Sequence, residues 1–246
     1  RDIFGSHDDS DHVYNTPRAW YMARCLNPST MNWDGPDADF TPLSDDIPWC
    51  MVPEKKVTIE DVKYVLSSHF QGTPYDPYAS YGDKSMKGAY RAIGVNRTDF
   101  LGIIQMRPDA GEDSRAIEWV AFASNVFNTA VPFYTDVEKV PEYFSNTTGD
   151  ASTDNFYWAS RMIAAMADAS YSKSIFHIER YQERVMSKGH EYINQYDELL
   201  EKESNAEKRM QLRQEANEKI ADMVKKETQD TLNKVLYELS NQMKNA

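Results

Sequence analysis

The chain has 246 residues, 39 acidic and 27 basic, for a formal net charge of −12 at pH 7. With 41% hydrophobic and 12% aromatic residues, it has the composition of a soluble globular protein that buries a core, not that of a disordered tail or a disulfide-rich module. The acidic balance argues against general nucleic-acid binding, which needs clustered Lys and Arg, and no run approaches the 18 apolar residues of a membrane-spanning helix.

Composition divides the chain near residue 150 into a mixed α+β region, 1–150, and an all-helical region, 151–246, expected to pack on it. Residues 7–12 (HDDSDH) read as a solvated turn. Residues 14–26 (YNTPRAWYMARCL) read as a short aromatic segment, and 27–48 as loop with Asp, Pro and Gly at turn positions. Thr58 followed three residues later by Asp61 has the pattern of a capping box. It opens a helix carrying Ile59, Val62, Val65 and Leu66, closed by Gly72 and Pro74. Runs 89–95, 100–107 and 116–123, separated by polar turns, predict an antiparallel meander. A fourth strand is expected within 128–137, and Pro132 confines it to an edge or a bulge.

Every proline lies at or before Pro141, and residues 152–246 hold a single glycine, Gly189. This stretch reads as three helices: 153–170 capped by Thr153, 173–203, and 206–243. The bend at Ser204-Asn205 predicts that the last two pack as an antiparallel hairpin. Their methionines are read as core.

Several chemistries lack their motifs: there is no GxGxxG after a strand, no P-loop, no HExxH and no GxSxG. Cys25 and Cys50 have no CxxC spacing and read as free thiols in a reducing compartment. His7 and His12 cluster with acids that suit Zn or Mn. All are neighbours on one turn, however, so no metal is expected. His177 and His190 fall inside a long helix and read as structural.

Asn15 and Arg18 stand out. They flank a Pro17 bend between aromatic residues. A guanidinium can grip a carboxylate with two hydrogen bonds, and a carboxamide can donate to a developing oxyanion. The competing reading is a structural turn whose arginine pairs with an acid.

Four phrases carry a resemblance: YNTPRAWYMARCLNP (14–28), AYRAIGVNRTDFLGIIQMRP (89–108), EWVAFASNVFNTAVPFYTDV (118–137) and TDNFYWASRMIAAMADASYSKSIFHIERYQERVMSKGHE (153–191). The chain resembles the C-terminal half of the broad-specificity dipeptidases of lactic acid bacteria. These cysteine peptidases are N-terminal-nucleophile (Ntn) hydrolases, related to secernins and more distantly to choloylglycine hydrolases. The resemblance implies an αββα sandwich of antiparallel sheets, with the long helices covering a face. It implies a nucleophilic N-terminal cysteine exposed by processing, whose own α-amine, with a pKa near 8, acts as the base.

This chain begins with Arg1, and Cys25 and Cys50 are internal. The resemblance therefore places the nucleophile upstream and makes this chain alone inactive, with the N-terminal half of the same protein as its partner. It further implies dipeptide substrates, no cofactor and a cytoplasmic homo-oligomer; Asn15 and Arg18, picked out by their own chemistry, are the candidates for substrate or oxyanion contact within it. Three alternatives stay open: a non-catalytic interaction module of the same fold, a related amidase, and a metal peptidase built on His7 and His12.

Overall fold

A computed structural model describes residues 5–244. It forms two compact units, Arg1–Val95 and Asn96–Ala246. The change of composition near residue 150 falls inside the second unit, where the strands before it pack against the helices after it.

Among the described residues of the first unit are three helices, α1 (Asp11–Tyr14), α2 (Thr16–Leu26) and α3 (Ile59–Leu66), joined by loop. Helix α2 arises from the segment read above only as aromatic. Pro17 stands in its first turn, where a missing N–H breaks no helical bond. Trp20 and Tyr21 are buried together with Trp33 and Phe70, and Phe40, Tyr75, Tyr90 and Ile93 pack around them. The polar tips are satisfied: Trp20 Nε1 donates to the Phe40 carbonyl at 3.1 Å and Tyr21 Oη to that of Gln71 at 2.8 Å. The expected capping box forms, with Asp61 N donating to Thr58 Oγ1 at 3.1 Å and Thr58 N to Asp61 Oδ2 at 3.0 Å. Helix α3 ends well before Gly72, which takes a left-handed turn at φ +76°.

The strand expected at 89–95 is not formed. The segment is tied down at separate points instead: Arg91 N donates to the Val13 carbonyl and Gly94 N to that of Ser68, both at 2.9 Å. A Cβ on Gly94 would sit 2.6 Å from the Ser67 carbonyl oxygen, so only glycine permits this approach.

The second unit is α+β. Strands β1 (Phe100–Met106), β2 (Ala116–Phe122) and β3 (Val131–Tyr134) form an antiparallel sheet in the order β1-β2-β3. The registers place Ile103 opposite Trp119 and Trp119 opposite Pro132. Pro132 thus lies on an edge strand, as expected. A short helix α4 (Glu142–Ser145) leads to α5 (Phe156–Ala169), α6 (Tyr171–Lys202) and α7 (Ala206–Ser240). The cap of α5 is Asn155, whose Oδ1 accepts from Trp158 N at 2.9 Å, rather than Thr153.

Helices α6 and α7 are about 48 and 52 Å long at 1.5 Å per residue. Buried positions recur every three or four residues: Ile178, Tyr181, Val185, Gly189, Ile193, Tyr196 and Leu200 on α6, and Ala216, Ile220, Val224, Thr228, Thr231 and Val235 on α7. Cross-pairs run in opposite order along the two helices. Tyr181 Oη meets Thr228 Oγ1 at 2.8 Å, Lys188 Nζ donates to Glu227 at 2.6 Å, and Tyr196 Oη donates to Glu215 at 2.9 Å. The hairpin is antiparallel.

Two close contacts help fix this hairpin to the sheet. The buried Asn217 side chain on α7 acts as a substitute strand: Tyr134 N donates to its Oδ1 at 2.9 Å, and its Nδ2 donates to the Tyr134 carbonyl at 3.0 Å. On α6, Gly189 faces Pro132 so closely that a Cβ would lie 2.8 Å from two ring carbons. That explains the lone glycine of the helical region.

Candidate functional site

The residues singled out by sequence lie at the start of α2. Asn15 is both the last cap of α1 and the first of α2, and it is exposed. Its Nδ2 donates to the carboxylate of Asp11. Asp11 belongs to the acidic run read above as a solvated turn, yet it is buried. Its carboxylate also accepts from Ser6 N at 3.1 Å, Ser6 Oγ at 2.9 Å and His7 N at 2.9 Å. Burial works against its charge, but the hydrogen bonds from Ser6, Asn15 and His7 outweigh it and hold the carboxyl far below its usual range. Asp11 thereby remains an anion and orients the Asn15 amide.

Arg18 stands one helical turn beyond Asn15 and is half-buried. Its Nε donates to the Arg91 carbonyl at 3.1 Å. The Arg91 guanidinium lies over the Tyr14 ring, 5.5 Å from its centroid. Among the described residues no carboxylate pairs with either guanidinium. Burial, and next the charge of Arg91, lower the Arg18 pKa from its ordinary value. A turn whose arginine pairs with an acid is therefore not what these residues form.

The other candidates have structural surroundings. His12 Nε2 lies 2.8 Å from Asp45 Oδ1, and among the described residues no group of three or more His, Cys, Asp or Glu is arranged to hold a metal ion. His177 faces Glu238 at 3.5 Å, and His190 packs against Trp119 with ring centroids 4.6 Å apart and the planes tilted by 51°. Cys25 is half-buried, and burial pushes its thiol up, away from the thiolate a nucleophile needs; Cys50 is exposed.

In the second unit a cleft is lined by Arg107, Ser114, Asp197, Glu201 and Arg209. Its main charges are already matched. Arg107 forks onto Asp197, Arg209 grips Asp113 at 2.6 and 2.8 Å, and buried Arg213 reaches both Asp113 and Asp136. Tyr134 Oη donates to Asp197 at 2.8 Å. This network staples the loop after β1 to the helical hairpin and engages both arginines of the cleft.

The comparisons with known proteins agree on the class. The family described as Peptidase family C69 matches residues 1–184, so the chain belongs to that peptidase family. It is 45% identical over its whole length to a dipeptidase of Bifidobacterium longum, covering 53% of that protein. It is 44% identical over its whole length to probable dipeptidase A of Streptococcus pyogenes, covering 49%, and 34% identical over 99% of its length to probable dipeptidase B of Lactococcus lactis, also covering 49%. The chain thus spans about half the length of these curated relatives, and corresponds to their C-terminal part. Among the described residues no helix is long and apolar enough to cross a membrane.

Proposed function

We propose that the protein containing this chain is a dipeptidase that hydrolyses dipeptides by acyl transfer to a cysteine at a processed N-terminus, outside these residues. The observation that carries this reading is identity of 44–45% along the whole chain to proteins named as dipeptidases. The thiol attacks the peptide carbonyl, its α-amine takes the proton, the leaving amine departs, and water releases the acyl group. In this reading the N-terminal half of the same protein completes an αββα sandwich with β1–β3, and this chain supplies pocket walls and helical support. Alone it is inactive. Asn15 and Arg18 contact the substrate or the oxyanion. The complete enzyme is a cytoplasmic homo-oligomer without a metal or cofactor.

The test is release of free amino acids from dipeptides by the full-length protein. Sequencing of its mature N-terminus should give cysteine, and replacing that cysteine with alanine should abolish turnover. Arg18→Ala should lower kcat/KM at least about tenfold, or roughly 1.4 kcal/mol of transition-state stabilisation. An unchanged kcat/KM with a normal melt reduces Arg18 to structure. Absence of dipeptide hydrolysis by the processed protein removes the proposal.

A further inference from the structure

Arg18 is tied to Arg91 through the Arg91 carbonyl, and among the described residues no carboxylate pairs with either guanidinium. The Arg91 backbone is fixed at both ends, its N–H to the Val13 carbonyl and its carbonyl to Arg18 Nε. Its side chain is fixed too, laid on the Tyr14 ring. Tyr90 and Ile93, on either side, are drawn into the aromatic core, and Arg91 itself stays half-buried. Arg18 sits in the first turn of α2, where the helix dipole adds further positive potential. Holding two guanidiniums near each other at reduced solvation costs free energy, and an anion bound between them recovers it. Burial first, and the Arg91 charge next, lower the Arg18 pKa from its ordinary value.

We infer that Arg18 and Arg91 form a two-arginine clamp for a carboxylate, and that its ligand is the free C-terminal carboxylate of the peptide substrate. The inference rests on the proposed dipeptidase reading and adds a residue and a role to it. A dipeptidase has to distinguish a dipeptide from a longer chain, and a free carboxylate one residue beyond the scissile bond is the mark that does so. Planar guanidiniums suit it better than ammonium groups, because each presents a pair of donors matched to two oxygens. Arg91 is on this view a substrate-binding residue that sets specificity.

The experiment is calorimetric titration of the full-length protein, its nucleophile blocked by substitution, with a dipeptide and with the same dipeptide carrying a C-terminal amide. The wild type is expected to bind the free acid at least tenfold more tightly. Arg91→Gln leaves both backbone hydrogen bonds in place. It should weaken the free acid about tenfold, leave the amide within twofold, and so erase the preference. Arg91→Lys should recover part of it.

An unchanged preference in Arg91→Gln overturns the clamp. So does equal weakening of both ligands, which marks an arginine that pairs with an acid elsewhere in the protein. Failure of the wild type to prefer the acid overturns it as well. Turnover of dipeptides by the unblocked protein is scored separately, so loss of the clamp and loss of the dipeptidase reading give different results.

Discussion

Gly189→Ala is a sharp test of how α6 meets the sheet. In a helix interior this change ordinarily stabilises by about 1 kcal/mol, because glycine loses more backbone entropy on folding. Here the new methyl carbon would stand 2.8 Å from both Cδ and Cγ of Pro132, with Trp119 Cζ3 at 3.9 Å. Carbon atoms rest about 3.5–4.0 Å apart, so something has to move by most of an ångström. The proline ring cannot swing away as a long side chain would, and its strand is paired with β2 and held at Tyr134 by Asn217. Overpacking of this kind costs about 1–3 kcal/mol, and a rigid neighbour belongs at the upper end. The net expectation is a loss of about 2 kcal/mol, read as a lower urea midpoint at unchanged slope in the full-length protein. In a Pro132→Ala background the ring carbons are gone, and the same substitution should become neutral or stabilising. The reasoning fails if Gly189→Ala is at least as stable as wild type. It also fails if the two changes add without coupling, within about 0.5 kcal/mol.

Asn217→Ala should strip both partners from the buried Tyr134 peptide groups; at about 1–3 kcal/mol per unmatched group, a stability loss of about 2–6 kcal/mol is expected by urea unfolding, and less than 1 kcal/mol counts against the substitute-strand role. The Asp113 carboxyl is held below its ordinary value of 3.8, chiefly by the hydrogen bond from Arg209, with Arg213 adding to it. A depressed folded pKa means that the unfolded chain binds the proton first, so this contribution is complete above about pH 4 and is lost as pH falls below it. Melting temperature should therefore drop on acidification below pH 4, and Asp113→Asn should make that drop shallower; an identical acid profile in the variant refutes the assignment.

The long helices were legible because a three-to-four-residue apolar rhythm runs through 156–240 without a proline to interrupt it. Strands β1 and β2 were legible because their runs are separated by short polar turns. Helix α2 was not: Pro17 and a cluster of aromatics mask a helical pattern that only burial of Trp20 and Tyr21 makes plain. At 89–95 local β propensity lost to separate tertiary ties, at Val13 for Arg91 and at Ser68 for Gly94. The same limit applied to the site. Asn15 and Arg18 could be picked out locally, whereas Arg91 joins them from 73 residues away. Asp11 looked like its solvated neighbours, because nothing in a run of acids tells which one the chain will fold around.

The two borders of the sheet differ in kind. On β3, Pro132 has no amide hydrogen to offer, and two residues on, in the same phase of the ladder, the Tyr134 peptide is already occupied by Asn217. That border is a dead end. On β1 no strand among the described residues pairs with the outer side, and Phe100, Ile104 and Met106 are each more than half exposed. The sheet can therefore be extended at one border only. Asn217 and Pro132 thus act as a chain terminator for strand addition at the β3 border, leaving β1 as the border at which strands of the N-terminal half can join in the proposed sandwich.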